Sequence, residues 1–186
     1  GAGAIGQILA QLAKYTGAGV VIVSEPNAFR RGIAQQICAD IVVDPLSQDL
    51  KTVVDAVTSG RGPDIVIEAI GSSSTCAEAL RIVGRGGKVI FFGCAPPEQL
   101  LEIRPWDLYA KEIVMKAVKS SPYAFKKAIQ TISRLDLMPI ITHKYSLDKI
   151  HEALDAARSL AGLKVLVGPG GAPFDLCQTG GVTGGR

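Results

Sequence analysis

The chain has 186 residues, which fits one domain of ordinary size with an appendage. Hydrophobic residues make up 47% of it and aromatic residues only 5%, and this aliphatic composition is typical of buried parallel sheets. The net charge of +3 is mild and the basic residues are scattered along the chain, which argues against nucleic acid as the main partner. The sequence contains no run of 18 apolar residues, so no membrane span is predicted.

The first six residues, Gly1-Ala2-Gly3-Ala4-Ile5-Gly6, form the pattern G-x-G-x-x-G and lead into a helical repeat of apolar residues. In a dinucleotide-binding loop, Gly1 makes the tight turn, Gly3 lets the backbone approach a pyrophosphate and Gly6 lets the helix pack closely. The start of the helix adds unpaired N–H groups and partial positive charge. The motif alone is weak evidence, because ordinary turns before helices are also rich in glycine.

A predicted strand follows this helix and leads to Glu25, about 20 residues after the glycines, where dinucleotide-binding proteins carry an acid for the adenosine ribose. Together the loop and the acid predict dinucleotide binding. Arg30 and Arg31 then open the next helix, either as solvated surface, as a guanidinium over the adenine ring, or as partners of a 2′-phosphate. Glu25 argues against the phosphate, because two anions would meet there.

Further apolar strands are predicted at residues 41–43, 64–70, 88–92 and 113–118, with helices between them. This alternation predicts a three-layer α/β fold, a Rossmann-type doubly wound parallel sheet covered by helices on both faces. The first, central strand should precede Gly1, and we expect upstream residues or another segment to supply it. Ligands bind at the carboxyl ends of such strands, so we expect Glu25, Ile70 and Gly93 to line one crevice.

Several local features accompany these elements. Helix caps are predicted at Ser47, at Ser146 and, as a capping box, at Thr75 with Glu78. The predicted apolar helix faces are Ile5, Ile8, Leu9, Leu12 and Ala13 in the first helix, with Gln7, Gln11 and Lys14 between them, and Phe125, Ala128, Ile129 and Ile132 in a helix starting at Pro122. The strand at residues 113–118 is predicted to be an apolar edge through which two copies pair.

Composition divides the chain into a dinucleotide-binding domain at residues 1–137, a C-terminal return segment at 138–167 and a glycine-rich, disordered tail at 168–186. The cysteines, Cys38, Cys76, Cys94 and Cys177, are far apart, which predicts neither disulfides nor a zinc site and favours the reducing cytoplasm. His143 and His151 lack metal-ligand spacing, and His151 lies on a helix flank. Glu68 is either a structural carboxylate or a buried general base.

With these residues laid out, the chain resembles the carboxy-terminal half of the zinc-containing medium-chain alcohol dehydrogenases, and most of all their sorbitol, threonine and butanediol dehydrogenase branch. The resemblance covers about residues 1–168. The segments that carry it agree with the family pattern in order, in spacing and in the glycine and proline residues between elements. These segments are residues 1–6, 20–26, 39–40, 60–71, 86–93, 140–154 and 162–165.

The resemblance implies NAD as the cofactor and assigns several positions to it. It places the backbone of Ala4 and Ile5 at the pyrophosphate, Glu25 at the ribose and Arg30 beside the adenine. Lys164 is either a basic residue near the pyrophosphate or an ordinary strand-end lysine. The complete set of expected cofactor-binding residues is Gly1, Gly3, Ala4, Ile5, Gly6, Glu25, Arg30, Ala69, Ile70, Gly93, Cys94 and Lys164.

In that family the catalytic zinc ligands lie mainly in an amino-terminal domain that this sequence lacks, so zinc is expected only there and no catalytic or metal-binding residue is assigned here. The implied parent is an NAD-dependent alcohol or polyol dehydrogenase that acts on a small secondary alcohol as a homodimer or homotetramer, and we expect this chain alone to be inactive. The alternatives are a zinc-free quinone or enone reductase, a non-catalytic nucleotide-binding module, and a methyltransferase-like glycine loop.

Overall fold

The computed structural model describes residues 1–119, 123–159 and 162–169. The chain divides into two compact units, Gly1–Asp136 and Leu137–Arg186. Helices and strands alternate throughout the first unit. Its elements are α1 (Ala4–Tyr15), β1 (Ile22–Ser24), α2 (Ala28–Ile37), β2 (Ile41–Val43), α3 (Leu50–Thr58), β3 (Ile65–Glu68), α4 (Ser73–Ile82), β4 (Lys88–Phe91), α5 (Pro105–Lys111), β5 (Val114–Ala117) and α6 (Ala124–Ile132).

The strands of the first unit pair in parallel, as expected when each strand is joined to the next through a helix. β1 pairs with β2, with Ile22 opposite Ile41. β3, β4 and β5 form a second ladder in that order, with Ile65 opposite Lys88 and Lys88 opposite Val114. This arrangement confirms the predicted α/β class. Within the described residues the two ladders are separate sheets, whereas the sequence predicted one sheet around an additional central strand.

Two apolar clusters hold the helices on these ladders. The larger one joins α1, β1 and α2 around small and branched side chains, which let the helix backbones approach the strands closely. The second cluster packs α4 on β4. Their buried members are Ala2, Ala10, Val21, Val23, Ala34 and Cys38 in the first cluster and Ala79, Val83 and Val89 in the second.

The buried residues of α1 are Ala10 and two glutamines, Gln7 and Gln11, whereas Ile5 of the predicted apolar face is exposed. Gln7 is 1% exposed, whereas Ile5 is 52% exposed. The Gln7 side-chain amide donates to the carbonyl oxygens of Ala2 (3.1 Å) and Arg30 (3.2 Å). Gln11, also buried, both donates to and accepts from the Asp136 backbone. These glutamines can be buried because their amides bond the backbone, which periodicity does not show.

The apolar face of α6, which the sequence pattern identified, is exposed. Phe125 is 76% exposed, and Ile129 and Ile132 are also exposed. An amphipathic pattern identifies which face is apolar but not what covers it. Pro122, the predicted start of this helix, lies outside the described residues.

The second unit contains β6 (Ile141–Ser146) and β7 (Lys164–Gly168), which pair in parallel, with α7 (Ile150–Arg158) between them. Short 3-10 turns at Met138–Ile140 and Leu147–Lys149 precede β6 and α7. Ser146 makes no side-chain cap bond, so its predicted role as a cap was wrong. Gly168, predicted to begin the tail, ends β7, and the tail from residue 170 onward lies outside the described residues.

Candidate cofactor site

The glycine loop ends in an uncapped helix start. Gly3 is the N-cap of α1 and contributes no side-chain hydrogen bond, so the N–H groups of the first turn have no partner within the helix. A Cβ built on Gly3 would meet nothing within 4 Å, whereas a Cβ on Gly6 would collide with the Gly1 carbonyl oxygen. The loop is therefore closed at Gly6 and open at Gly3, the side on which an anion could approach.

The Glu25 carboxylate lies against this loop. One of its oxygens accepts the Ala2 N–H at 2.6 Å and the other accepts the Asn27 N–H at 3.1 Å, while the Glu25 N–H donates to the Val43 carbonyl oxygen at 3.0 Å. Glu25 is 6% exposed, and charge-assisted hydrogen bonds of this kind offset the cost of burying a carboxylate. The structure thus brings together the acid and the glycine loop that the sequence pattern linked.

The ends of β3 and β4 approach each other through two glycines. A Cβ on Gly93 would collide with the Gly71 nitrogen, and a Cβ on Gly71, which has a φ of +87°, would lie 2.6 Å from the Cys94 carbonyl carbon. Ile70 reaches the glycine loop, since a Cβ on Gly1 would lie 2.9 Å from its side chain. Of the predicted residues, Gly1, Ile70, Gly93 and the exposed Cys94 are therefore close together, and Ala69 directly follows β3.

Glu68 anchors the turn after β3. Its carboxylate accepts the N–H groups of Ile70 (2.7 Å) and Gly71 (2.9 Å) and the Thr75 hydroxyl (2.9 Å). Burial, together with this carboxylate, raises the pKa of the neighbouring Cys76 thiol. Two donors from its own turn and the Thr75 hydroxyl of α4 engage Glu68, which favours the structural interpretation over that of a general base.

The two arginines of α2 have different surroundings. The Arg30 N–H is capped by the Asn27 side chain at 3.1 Å. The Arg31 guanidinium donates to the carbonyl oxygens of Glu25 (2.7 Å) and Pro26 (2.6 Å) and pairs with Asp44 at 2.9 Å. Arg31 is therefore engaged in internal bonds, which the sequence analysis did not predict.

Gln7 and Asp44, two further polar residues with contacts around the candidate site, were not among the predicted residues. Gln7 links the loop to α2 through the contacts described above, and Asp44 lies at the end of β2. Both had a signal in the sequence. Gln7 and Gln11 are spaced to share one helix face, and an acid directly after a strand lies at the edge where ligands bind.

The remaining candidates lie in the second unit. Lys164 is exposed at the start of β7 and His151 is exposed on α7. His143, which the family resemblance places at a turn, lies in β6, and its ring bonds the Thr142 hydroxyl at 2.9 Å and stacks on Tyr145.

Among the described residues, no group of three His, Cys, Asp or Glu side chains could hold a metal ion, so these residues do not fit a zinc centre. In the same part of the chain, each helix is too short or too polar to cross a membrane.

The glycine loop, Glu25 and the two strand ends fit a dinucleotide. The open position at Gly3 leaves room for phosphates next to the first-turn N–H groups of α1. Glu25 offers acceptors beside the loop, because each carboxylate oxygen has lone-pair sites beyond the one that its backbone donor uses. Ile70 and Gly93 lie at neighbouring strand ends, where ligands of parallel sheets bind.

Several known dehydrogenases are similar to this chain in sequence or structure. The L-threonine 3-dehydrogenase of Thermococcus kodakarensis is 34% identical over 91% of this chain and 49% of its own length. The alcohol dehydrogenase of Thermotoga maritima has a solved structure with a TM-score of 0.86 and 29% identity over 91% of this chain and 48% of that one. A zinc-binding dehydrogenase of Sinorhizobium meliloti, solved with NADP, has a TM-score of 0.81 and 29% identity over 89% and 50% of the two chains.

The chain thus spans about half the length of the relatives that it matches. The structural neighbours are Rossmann-type dehydrogenases, which confirms the predicted fold class. The family model described as zinc-binding dehydrogenase matches residues 4–134. The chain therefore belongs to the zinc-binding dehydrogenase family, as the resemblance in its sequence predicted.

Proposed function

We propose that this chain is the cofactor-binding part of an NAD-dependent, zinc-type alcohol dehydrogenase that transfers hydride to and from a secondary alcohol. The observation that carries the proposal is the buried Glu25 carboxylate, bonded to the Ala2 N–H at 2.6 Å beside the uncapped start of α1. Relatives named L-threonine 3-dehydrogenase support the substrate class, because threonine carries a secondary alcohol.

In this proposal the chain holds and orients the dinucleotide. The N–H groups of Ala4 and Ile5 donate to the pyrophosphate, and Glu25 accepts the adenosine ribose hydroxyls. Ile70, Gly93 and Cys94 flank the rest of the cofactor at the strand ends. When bound, the nicotinamide supplies the hydride chemistry.

Glu25 is also the reason to propose NAD rather than NADP. A 2′-phosphate would place a second anion beside its carboxylate, and two unit charges 4 Å apart repel by about 1 to 4 kcal/mol between bulk water and a protein surface. The second candidate is a preference for NADP, as in a quinone or enone reductase, because one related protein was solved with NADP bound.

The parent protein is proposed to act on its alcohol in the cytoplasm. The free thiols Cys38, Cys76 and Cys94 support a reducing compartment. We expect the chain alone to bind the dinucleotide without oxidising an alcohol, since it spans half the length of its relatives. Oxidation of any polyol by the isolated chain would contradict this expectation.

Isothermal titration of the chain with NAD, NADP and S-adenosylmethionine tests the proposal. We expect NAD to bind at least about ten-fold more tightly than NADP, a difference of about 1.4 kcal/mol, and S-adenosylmethionine not to bind. Tighter binding of NADP would favour the reductase, and binding of S-adenosylmethionine a methyltransferase-like loop.

Two glycine variants locate the site. Gly3→Ala places a methyl group in the open side of the loop and should abolish NAD binding while leaving the melting temperature unchanged, because the φ of −64° suits alanine. Gly19→Ala is the matched control, since a Cβ there also meets nothing within 4 Å. Equal NAD affinity in both variants would place the cofactor elsewhere.

A further inference from the structure

Arg31 joins three segments behind the ribose acid. Its guanidinium lies on α2 and bonds two consecutive carbonyl oxygens, those of Glu25 and Pro26, in the turn between β1 and α2. Its second terminal nitrogen pairs with Asp44 at the end of β2 at 2.9 Å. The side chains of Arg31 and Asp44 are only 17% and 25% exposed, so solvent screens this pair less than a surface pair.

These contacts act on the backbone of the residue whose side chain meets the glycine loop. The Glu25 carbonyl is held by Arg31, and the Glu25 N–H by the Val43 carbonyl oxygen at 3.0 Å. With both backbone groups fixed, the side chain projects toward the Ala2 N–H. A planar guanidinium with several fixed donors suits this role, because it can bond two carbonyls and a carboxylate at once.

The same contacts change the role that Arg31 could play toward a cofactor. Its two terminal nitrogens are engaged with carbonyl oxygens and with Asp44, and the Asp44 carboxylate balances its charge. An arginine held in this way is not offered to a 2′-phosphate. The charge presented at the ribose is then that of Glu25.

We propose that Arg31, fixed by Asp44, is a positioning residue that sets the preference for an unphosphorylated ribose by holding the Glu25 backbone. This inference rests on the proposed function, and it assigns the selectivity to the three-residue unit of Asp44, Arg31 and Glu25. Arg31 acts through Glu25 and does not touch the cofactor.

The test is a double-mutant cycle on NAD and NADP affinity, with Arg31→Leu, Glu25→Gln and the combined variant. Arg31→Leu should weaken NAD binding about ten-fold, equivalent to about 1.4 kcal/mol, and should weaken NADP binding much less. The preference for NAD over NADP should therefore become smaller. In the Glu25→Gln background Arg31→Leu should change NAD affinity less than about two-fold, because residues that act through one contact are not additive.

Two further variants separate positioning from general stability. Arg31→Lys keeps the charge but loses the fork of donors, and it should recover part of the NAD preference. Arg81→Leu is the matched control, since Arg81 also pairs with an aspartate at 2.6 Å, but on α4; it should leave the NAD to NADP ratio unchanged. The positioning role would be overturned if Arg31→Leu lowered NAD affinity equally in the wild-type and Glu25→Gln backgrounds. It would also be overturned if Arg81→Leu narrowed the NAD to NADP ratio as much as Arg31→Leu does.

The outcomes also separate this inference from the proposed function. If the unaltered chain binds NAD but Arg31→Leu leaves the NAD to NADP ratio unchanged, the cofactor assignment survives and the role of Arg31 is wrong. If the unaltered chain binds neither dinucleotide, both are wrong. If Arg31→Leu fails to fold, the ratio measured with Arg31→Lys and with Asp44→Asn decides the question, since both should narrow it.

Discussion

Glu68 shows how one buried carboxylate can hold a turn that belongs to the site. It is 4% exposed and accepts two backbone N–H groups and one hydroxyl. Glu68→Ala should lower the free energy of unfolding by about 2–4 kcal/mol, because several buried donors lose their acceptor, and Glu68→Gln by about 1–2 kcal/mol, because one oxygen remains. Urea denaturation measures both, with the exposed Glu98→Gln as the control.

The same pair of variants distinguishes the two interpretations of Glu68. If Glu68→Gln left stability and NAD affinity intact but abolished turnover in the parent enzyme, the general-base interpretation would stand and the structural one would be wrong. The geometry favours the structural role, because the N–H groups of Ile70 and Gly71 come from the turn itself.

Individual residues of the candidate site were predictable only where a sequence pattern encodes them. The glycine motif and the spacing to Glu25 predicted that the loop and this acid belong to one site, and in the structure the Ala2 nitrogen lies 2.6 Å from a Glu25 carboxylate oxygen. Gln7 and Asp44 were not assigned to the site, and the partners of Arg31 were not predicted, because these contacts are made with backbone carbonyls or side chains of other elements. Spacing along the chain does not contain such tertiary contacts.

At the scale of elements, the order of helices and strands was predictable and their ends were less so. Asp49 caps α3, where Ser47 was predicted, and Ser72 caps α4, where Thr75 was predicted. Each stretch contains several residues able to cap, and tertiary contacts select one of them. Asp49 also bonds Arg81, and the Thr75 hydroxyl bonds Glu68.

The cap of α3 makes stability depend on pH. The hydrogen bond from Arg81, followed by those from Thr52, lowers the pKa of Asp49 from 3.8 to about 2. A carboxyl with a lowered folded pKa stabilises the fold fully above its unfolded pKa and loses that contribution as the pH falls through the folded value. The contribution of Asp49 should therefore disappear between about pH 4 and pH 2.

Asp49→Asn tests this dependence, because asparagine also caps helices but carries no charge. Denaturation midpoints measured from pH 5 to pH 2 should fall less steeply in the variant than in the unaltered chain. Other acids with lowered pKa values, such as Asp40 and Asp148, contribute equally to the pH dependence of stability in both proteins. Parallel curves would mean that the pairing of Asp49 with Arg81 does not contribute.

At the scale of the whole first unit, the candidate site depends on tertiary contacts between the two ladders. Parallel pairing places the ends of β3 and β4 at one edge of their ladder. The closeness of Gly1 to Ile70 and the hydrogen bond from Ala2 to Glu25 then join this edge to the start of α1 and the end of β1. The alternation of elements predicts this edge. It does not predict which helix faces remain exposed, as α6 shows.

We propose that two copies of the chain form a two-fold dimer through β5, the outer strand of the three-stranded ladder. β5 pairs with β4 on one side, and its four residues are exposed. The N–H groups of Val114 and Val118 donate to Gly87 and Phe91, so by alternation the N–H groups of Met115 and Ala117 point to the outer edge. An apolar outer edge of this kind favours pairing with a second copy.

Met115→Pro should therefore convert a dimer into a monomer, because proline removes one outer donor and leaves the bonds to β4 in place. Light scattering after size exclusion should give twice the monomer mass for the unaltered chain and the monomer mass for the variant. Met115→Leu, which keeps the donor and an apolar side chain of similar volume, should remain dimeric. A dimer that survives Met115→Pro with an unchanged melting temperature would mean that the copies associate through another surface.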